Sequence, residues 1–256
     1  MCGRYELHTH PAALALAFGL PFPPDIQPRY NIAPTQLVPV VRNNAEGQRE
    51  LAQMRWGLVP RWAKDPSIGS RMINARGETV ASKSAFRTPF ERHRCLLPAD
   101  GFYEWKVLPG GRKQPMRVTM KSGMPFALAG LSERWLSSTG EVVDSCAIVT
   151  TEASASLRPL HERMPVIVPA GDYERWLANT GEPPHDLIAA YPADQLRVHP
   201  VSLRVNAVRN DDARLIEPVA ESVAESVAES APDDAPDTSN DHDAPDEEED
   251  AQKSLF

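Results

Sequence analysis

Arg94-Cys95-Leu96-Leu97-Pro98-Ala99-Asp100-Gly101-Phe102-Tyr103-Glu104-Trp105-Lys106-Val107 reads as two short strands, Arg94–Leu97 and Phe102–Val107, parted by a Pro-Ala-Asp-Gly break. Proline cannot donate to a ladder and Asp-Gly favours a turn, whereas the flanking aliphatic and aromatic residues suit a pleated, half-buried surface. Gly110-Gly111 follows as a hairpin signal. Beyond it, Met116–Lys121, Phe126–Leu131 and Val142–Thr151 repeat the strand pattern, and upstream so do Leu37–Arg42 and Arg55–Val59. A further strand is expected over Arg197–Val205. Helices are expected at Pro11–Leu20, Ala153–Leu160 and Gly171–Asn179. Strands that follow one another through turns imply an α+β fold: a mainly antiparallel, barrel-like β core of twisted sheets with peripheral helices.

The charge divides the chain. Of 256 residues, 27 are Lys or Arg and 35 are Asp or Glu, a formal net charge of −8. From Val219 onward there are 13 acidic residues and one basic residue, Lys253, whereas residues 1–218 carry a net +4. The sequence therefore divides into a weakly basic folded domain, 1–218, and an acidic tail, 219–256. The tail opens with Val-Ala-Glu-Ser three times over and continues rich in Pro and Asp, a composition too polar to build a core and expected to be disordered. Cys2, Cys95 and Cys146 are odd in number and widely spaced, so neither a disulfide framework nor a zinc site is expected, and a reducing cytoplasm is the natural setting. No Gly-rich phosphate cradle is present, and no cofactor or metal is expected.

Cys2 is the sharpest chemical feature. Small residues at position two usually permit removal of Met1, and a terminal cysteine then carries an amine and a thiol on adjacent carbons. An aldehyde condenses with the amine to an imine, and the thiol closes a thiazolidine. Both groups titrate near neutrality, at about 7.7–8.0 and 8.5 in model peptides. Taken singly, Cys2 could be merely a small residue, Asn74 a turn cap, Glu104 an exposed partner of Lys106, and His161 a complement to a helix C-terminus.

Set together, Cys2-Gly3-Arg4-Tyr5, Arg29-Tyr30-Asn31-Ile32-Ala33-Pro34, Trp56-Gly57-Leu58-Val59-Pro60-Arg61-Trp62, Met72-Ile73-Asn74-Ala75-Arg76-Gly77-Glu78-Thr79, Leu97 through Trp105, and Pro159-Leu160-His161-Glu162-Arg163-Met164-Pro165 resemble the SOS-response-associated peptidase family. The resemblance extends from Met1 to about Pro218 and includes His199-Pro200-Val201-Ser202. It implies a sensor of abasic sites in single-stranded DNA that cross-links the sugar aldehyde to Cys2, with Asn74, Glu104 and His161 completing the catalytic set. Arg4, Arg76 and Arg163 are then expected at phosphates, followed by Lys83 and Arg87, and Trp62 and Trp105 at bases. Two other classes remain open: a self-processing peptidase with an N-terminal nucleophile, and a non-covalent reader of modified bases. Gln252-x-x-Leu255-Phe256 at the chain's end resembles the peptide by which bacterial replication proteins dock on the sliding clamp. A nucleoid-associated location follows from that reading.

Overall fold

Residues 2–179 and 181–220 are described by the computed structural model. Buried aliphatic and aromatic runs form strands, and the Pro-rich stretches between them form turns and short 3-10 segments. In chain order the elements are β1 (Tyr5–Leu7), α1 (Pro11–Phe18), β2 (Arg29–Ile32), β3 (Leu37–Asn43), β4 (Arg49–Trp56), β5 (Asn74–Arg76), α2 (Arg87–Arg92), β6 (Arg94–Ala99), β7 (Gly101–Val107), β8 (Lys113–Met120), β9 (Phe126–Leu136), β10 (Val142–Glu152), β11 (Arg163–Pro165), β12 (Ile167–Val168), α3 (Tyr173–Leu177) and β13 (Leu196–Pro200). No helix among the described residues is long and apolar enough to cross a membrane.

Five strands close on themselves. β10, β4, β3, β6 and β9 pair in that order, and β9 pairs back onto β10. Closure removes the open edges that an isolated sheet would expose. Only the β10–β4 contact in this ring is parallel. β10 is long enough for two tasks. Its first half belongs to the barrel, and its second half carries β5 in parallel (Ile148 opposite Asn74) and β11 antiparallel (Thr150 opposite Pro165). The expected mainly antiparallel α+β barrel is what forms.

A second sheet, ordered β13-β8-β7-β1-β2 and antiparallel throughout, positions the amino terminus. β1 holds its place through Glu6, whose carboxylate is fully buried. It accepts from Tyr103 Oη at 2.6 Å and from Arg117 Nε at 2.7 Å, and His8 Nε2 lies 3.7 Å away. Burial raises the Glu6 pKa, but the nearby His8 imidazole and the Arg117 guanidinium outweigh it, so the group ends below the usual carboxylate range. Gly101 is required beside it: a Cβ there would stand 2.6 Å from Glu6 Oε1.

Arg94 performs the matching task at the barrel wall. Its buried guanidinium donates to the Phe90 and Glu91 carbonyls in the last turn of α2 and to the Trp176 (2.7 Å) and Ala178 carbonyls at the end of α3. The positive charge thus satisfies the orphan carbonyls of two helix ends at once.

Several boundaries differ from expectation. Ala153–Leu160 is a series of turns rather than a helix, because β10 continues to Glu152 and Ser154 starts i→i+3 and i→i+4 bonds to Leu157 and Arg158 that Pro159 does not extend. The strand expected over Arg197–Val205 stops at Pro200; Ser202 then caps a 3-10 turn at Leu203–Asn206. The strand expected over Arg55–Val59 is instead Arg49–Trp56, ended by Gly57 at φ 136°. Gly171–Asn179 splits into a 3-10 turn and the short α3.

Glu6→Gln should lower stability at neutral pH by about 3 kcal/mol, since it leaves Arg117 facing a neutral amide. The native contribution is present above the unfolded pKa, about 4.5, and is lost as pH falls through the depressed folded value. Denaturant titrations of both proteins should therefore converge in acid; a gap independent of pH would contradict this role.

Candidate active site

Cys2 lies fully buried, three residues before β1. Asn74, at the start of β5, donates from Nδ2 to the Cys2 carbonyl at 3.0 Å. The β10 ladder fixes Asn74 from one side, and Trp56 Nε1 bonds the preceding Ile73 carbonyl at 2.9 Å. Asn74 Oδ1 is buried with no hydrogen-bond partner among the described residues. The amide thus holds the main chain of residue 2 and keeps an acceptor beside it.

Glu104 stands on β7 opposite Met116 and is 5% exposed, which removes the reading of an exposed strand residue. Burial pushes its carboxyl up to about 7, with the positive amino terminus pulling the other way. Burial also pushes the Cys2 thiol up, and Glu104 adds to that, so the two groups share one electrostatic environment. His161 sits on a turn before β11, not at a helix C-terminus as expected, so no helix dipole explains it. Its Nδ1 accepts from the Arg163 amide at 2.9 Å, which places the neutral ring's proton on Nε2. Burial, followed by the positive amino terminus, lowers its pKa and favours that neutral form. Glu104 and His161 line one cleft of about 420 Å³, together with Trp105, Val107, Lys113 and Leu160.

The residues expected to hold DNA are placed unequally. Arg4 is half-buried, donating to Asn31 Oδ1 (2.7 Å) and the Val205 carbonyl (2.8 Å), and its guanidinium lies 5.9 Å from the Trp105 ring centre. Trp105 lines the cleft and its Nε1 bonds Asn206 at 2.8 Å. Arg163 grips Glu78 with two nitrogens (3.0 and 2.9 Å) and the Thr150 carbonyl at 2.7 Å. Arg76 and Arg163 border a second depression of about 670 Å³ with Arg158, Glu78, Thr79, Glu152 and Glu162. Trp62 is 56% exposed on a turn; Lys83 and Arg87 are exposed and line neither depression. Gln252, Leu255 and Phe256 lie outside the described residues.

Three contributors were not singled out from sequence. Lys113 reaches the cleft because the hairpin sets it opposite Val107, and the Gly110-Gly111 turn was its available signal. Arg158 joins the second depression through the turns that replace the expected helix. Buried Asn31 ties Arg4 to the strap that follows β13, bonding the Val205, Ala207 and Asn210 carbonyls.

The family model described as SOS response associated peptidase (SRAP) matches residues 1–208. The abasic site processing protein YoaM of Bacillus subtilis is 41% identical over 224 residues, covering 85% of this chain and 98% of that protein. The abasic site processing protein YedK of Escherichia coli is 32% identical over 230 residues, covering 86% of this chain and 100% of that protein. A crystal structure of a Bordetella bronchiseptica protein superposes with a TM-score of 0.70 at 28% identity, covering 79% of this chain and 100% of that one.

Glu104→Gln should stabilise the protein. The carboxyl's ionisation is delayed from its ordinary value to about 7, so its cost to folding grows as pH rises between the two. At about pH 8 the variant should gain roughly 1–3 kcal/mol, with little difference below about pH 4.5, where both side chains are neutral. Loss of stability at high pH would contradict burial as the dominant influence on Glu104.

Proposed function

The chain belongs to the SOS response associated peptidase family, and we propose that it senses and processes abasic sites in single-stranded DNA by cross-linking them to Cys2. The observation that carries the reading is Glu104: a buried carboxyl with a pKa of about 7, on one cleft with His161 and electrostatically coupled to Cys2. The names of the relatives, abasic site processing proteins, support the same substrate class.

The chemistry requires a free amine at Cys2. Hydrolysis of the Met1–Cys2 peptide bond consumes one water and supplies it. An abasic deoxyribose opens to an aldehyde at C1′: the protonated form of His161 gives a proton to the ring oxygen, and the imidazole left behind takes up the proton of the C1′ hydroxyl. The Cys2 amine adds to C1′ to give a carbinolamine. Glu104 then gives a proton to the departing hydroxyl, which leaves as water, and takes back the nitrogen's proton as the imine forms. The thiol sulfur adds to the imine carbon while its proton passes to nitrogen, closing the thiazolidine. The cross-link has the mass of protein plus DNA less one water. A carboxyl titrating near neutrality can both give and take protons at that pH. A missing base also removes the stacking that intact DNA would lose on entering the cleft. Arg4, Arg76 and Arg163 would steady flanking phosphates, Lys83 and Arg87 the strand farther out, and Trp62 and Trp105 neighbouring bases.

A second reading, a peptidase acting once on its own Met1–Cys2 bond, is favoured by the coupling of Cys2 to Glu104. It is compatible with the first as the preparatory step. For the tail, Gln252, Leu255 and Phe256 are proposed as a sliding-clamp peptide; deleting the last five residues should abolish clamp binding and leave abasic-site capture intact.

Cys2→Ala should abolish covalent capture of an abasic oligonucleotide on a denaturing gel while preserving salt-sensitive binding, and the intact mass of the wild-type adduct should show loss of Met1 and of one water. Undiminished capture by the variant would overturn the mechanism. His161→Gln should slow capture by about 10²-fold, the usual scale for one general acid. In wild type the rate should rise as the amine deprotonates and fall as Glu104 ionises, a bell near neutrality that Glu104→Gln loses along with most of its rate.

A further inference from the structure

The point where the acidic tail leaves the domain is fixed by two contacts. The Val219 amide donates to the Pro200 carbonyl at 3.1 Å, and Pro218 bridges Val201. Pro200 stands opposite Met116 on β8, and Met116 stands opposite Glu104 on β7. Neighbouring strands are about 4.8 Å apart, so Pro200 lies about 10 Å from the Glu104 backbone and the exit at Val219 one such step farther, about 14 Å.

Charge is arranged to match. Two and three positions along the same ladder from Glu104, the β7–β8 hairpin carries Lys106 and Lys113, the latter on the cleft wall, with Arg112 just beyond the last pair. The first tail carboxylate, Glu221, follows Val219 by two residues, and Glu225 follows four later. At about 3.3–3.6 Å per extended residue, both can reach that hairpin. Thirteen carboxylates lie between 221 and 250, including the unbroken run Asp246–Asp250, on a chain whose remaining residues carry +5. Such a segment offers a backbone of closely spaced negative charge, as a DNA strand does.

We infer that residues 221–250 dock on the β7–β8 hairpin and cleft mouth of their own chain, in the path of the DNA backbone, and compete with undamaged strands for it. The inference rests on the abasic-site reading for the identity of the competitor, and it adds a regulatory role for the tail. A tethered segment acts at an effective concentration in the millimolar range, so a contact with a dissociation constant near 0.1 mM weakens DNA binding about tenfold. A strand held covalently at Cys2 is not released by such competition. The tail therefore discriminates against intact DNA and leaves capture at saturating lesion unchanged.

The test uses the full chain and a full-length variant in which the thirteen tail carboxylates are replaced by their amides (Asp→Asn, Glu→Gln). Without DNA, at low salt, amide NMR signals of residues 106–113 should differ between the two proteins while those of the β3–β4 hairpin coincide. With an undamaged single-stranded oligonucleotide at about 50 mM salt, the variant should bind about tenfold tighter, and the ratio should approach one at about 0.5 M, where screening is short-ranged. Coincident hairpin signals would overturn docking, as would equal affinities at low salt or a ratio that ignores salt. Failure of both proteins to capture an abasic oligonucleotide, with the hairpin shifts present, would remove the proposed reaction and leave the docking standing.

Discussion

The Glu6 carboxylate is the contact on which the site depends. Cys2 has no secondary structure of its own, and its position follows from where β1 begins. β1 is only three residues long, too short to be secured by its ladder bonds alone. The side chain of its middle residue secures it, held by Tyr103 on the neighbouring β7 and by Arg117 on β8, one strand farther. Asp100 adds a second clasp, accepting from the His8 amide at 2.5 Å and the Thr9 amide at 2.7 Å. With the start of the chain fixed, Asn74 can meet the Cys2 carbonyl from the barrel side.

Two buried carboxylates, Glu6 and Glu104, are driven in opposite directions by their surroundings. Glu6 has a guanidinium, a phenol and an imidazole around it and stays ionised. At Glu104 burial dominates, and its proton is held to about 7. One is held as an anion that anchors β1 and the other, proposed as the proton carrier, stays protonated to about neutrality, because environment rather than residue type sets the pKa. The fold supplies both environments from the same three strands, β1, β7 and β8.

Much of this was legible in the sequence where the signal was local. Gly110-Gly111 placed the β7–β8 hairpin correctly, with both glycines at positive φ (83° and 80°). The strands Phe102–Val107, Phe126–Leu131 and Val142–Thr151 lie inside observed ones because both faces of them are largely buried. Arg49–Gln53 was not legible: Arg, Glu and Gln give it no apolar run, and its place as a barrel strand comes from β3 alongside. β5 is three residues long and exists only because β10 offers it an edge. The four catalytic candidates were nameable through motif resemblance, but the reason Glu104 can act at neutral pH is burial, which no motif displays. Lys113 reaches the cleft by register, a property of the pair of strands rather than of either one.

Arg94 anchors the barrel's helices by a different kind of bond from the one that anchors β1. Its four acceptors are main-chain carbonyls, which do not titrate, whereas β1 is held through the Glu6 carboxylate, which does. Acid therefore acts on the two halves of the molecule unequally. Protonation of Glu6 should loosen the amino-terminal strand from its sheet while the Arg94 contacts still pin the barrel's helices, so the position of Cys2 should be lost before the shape of the barrel.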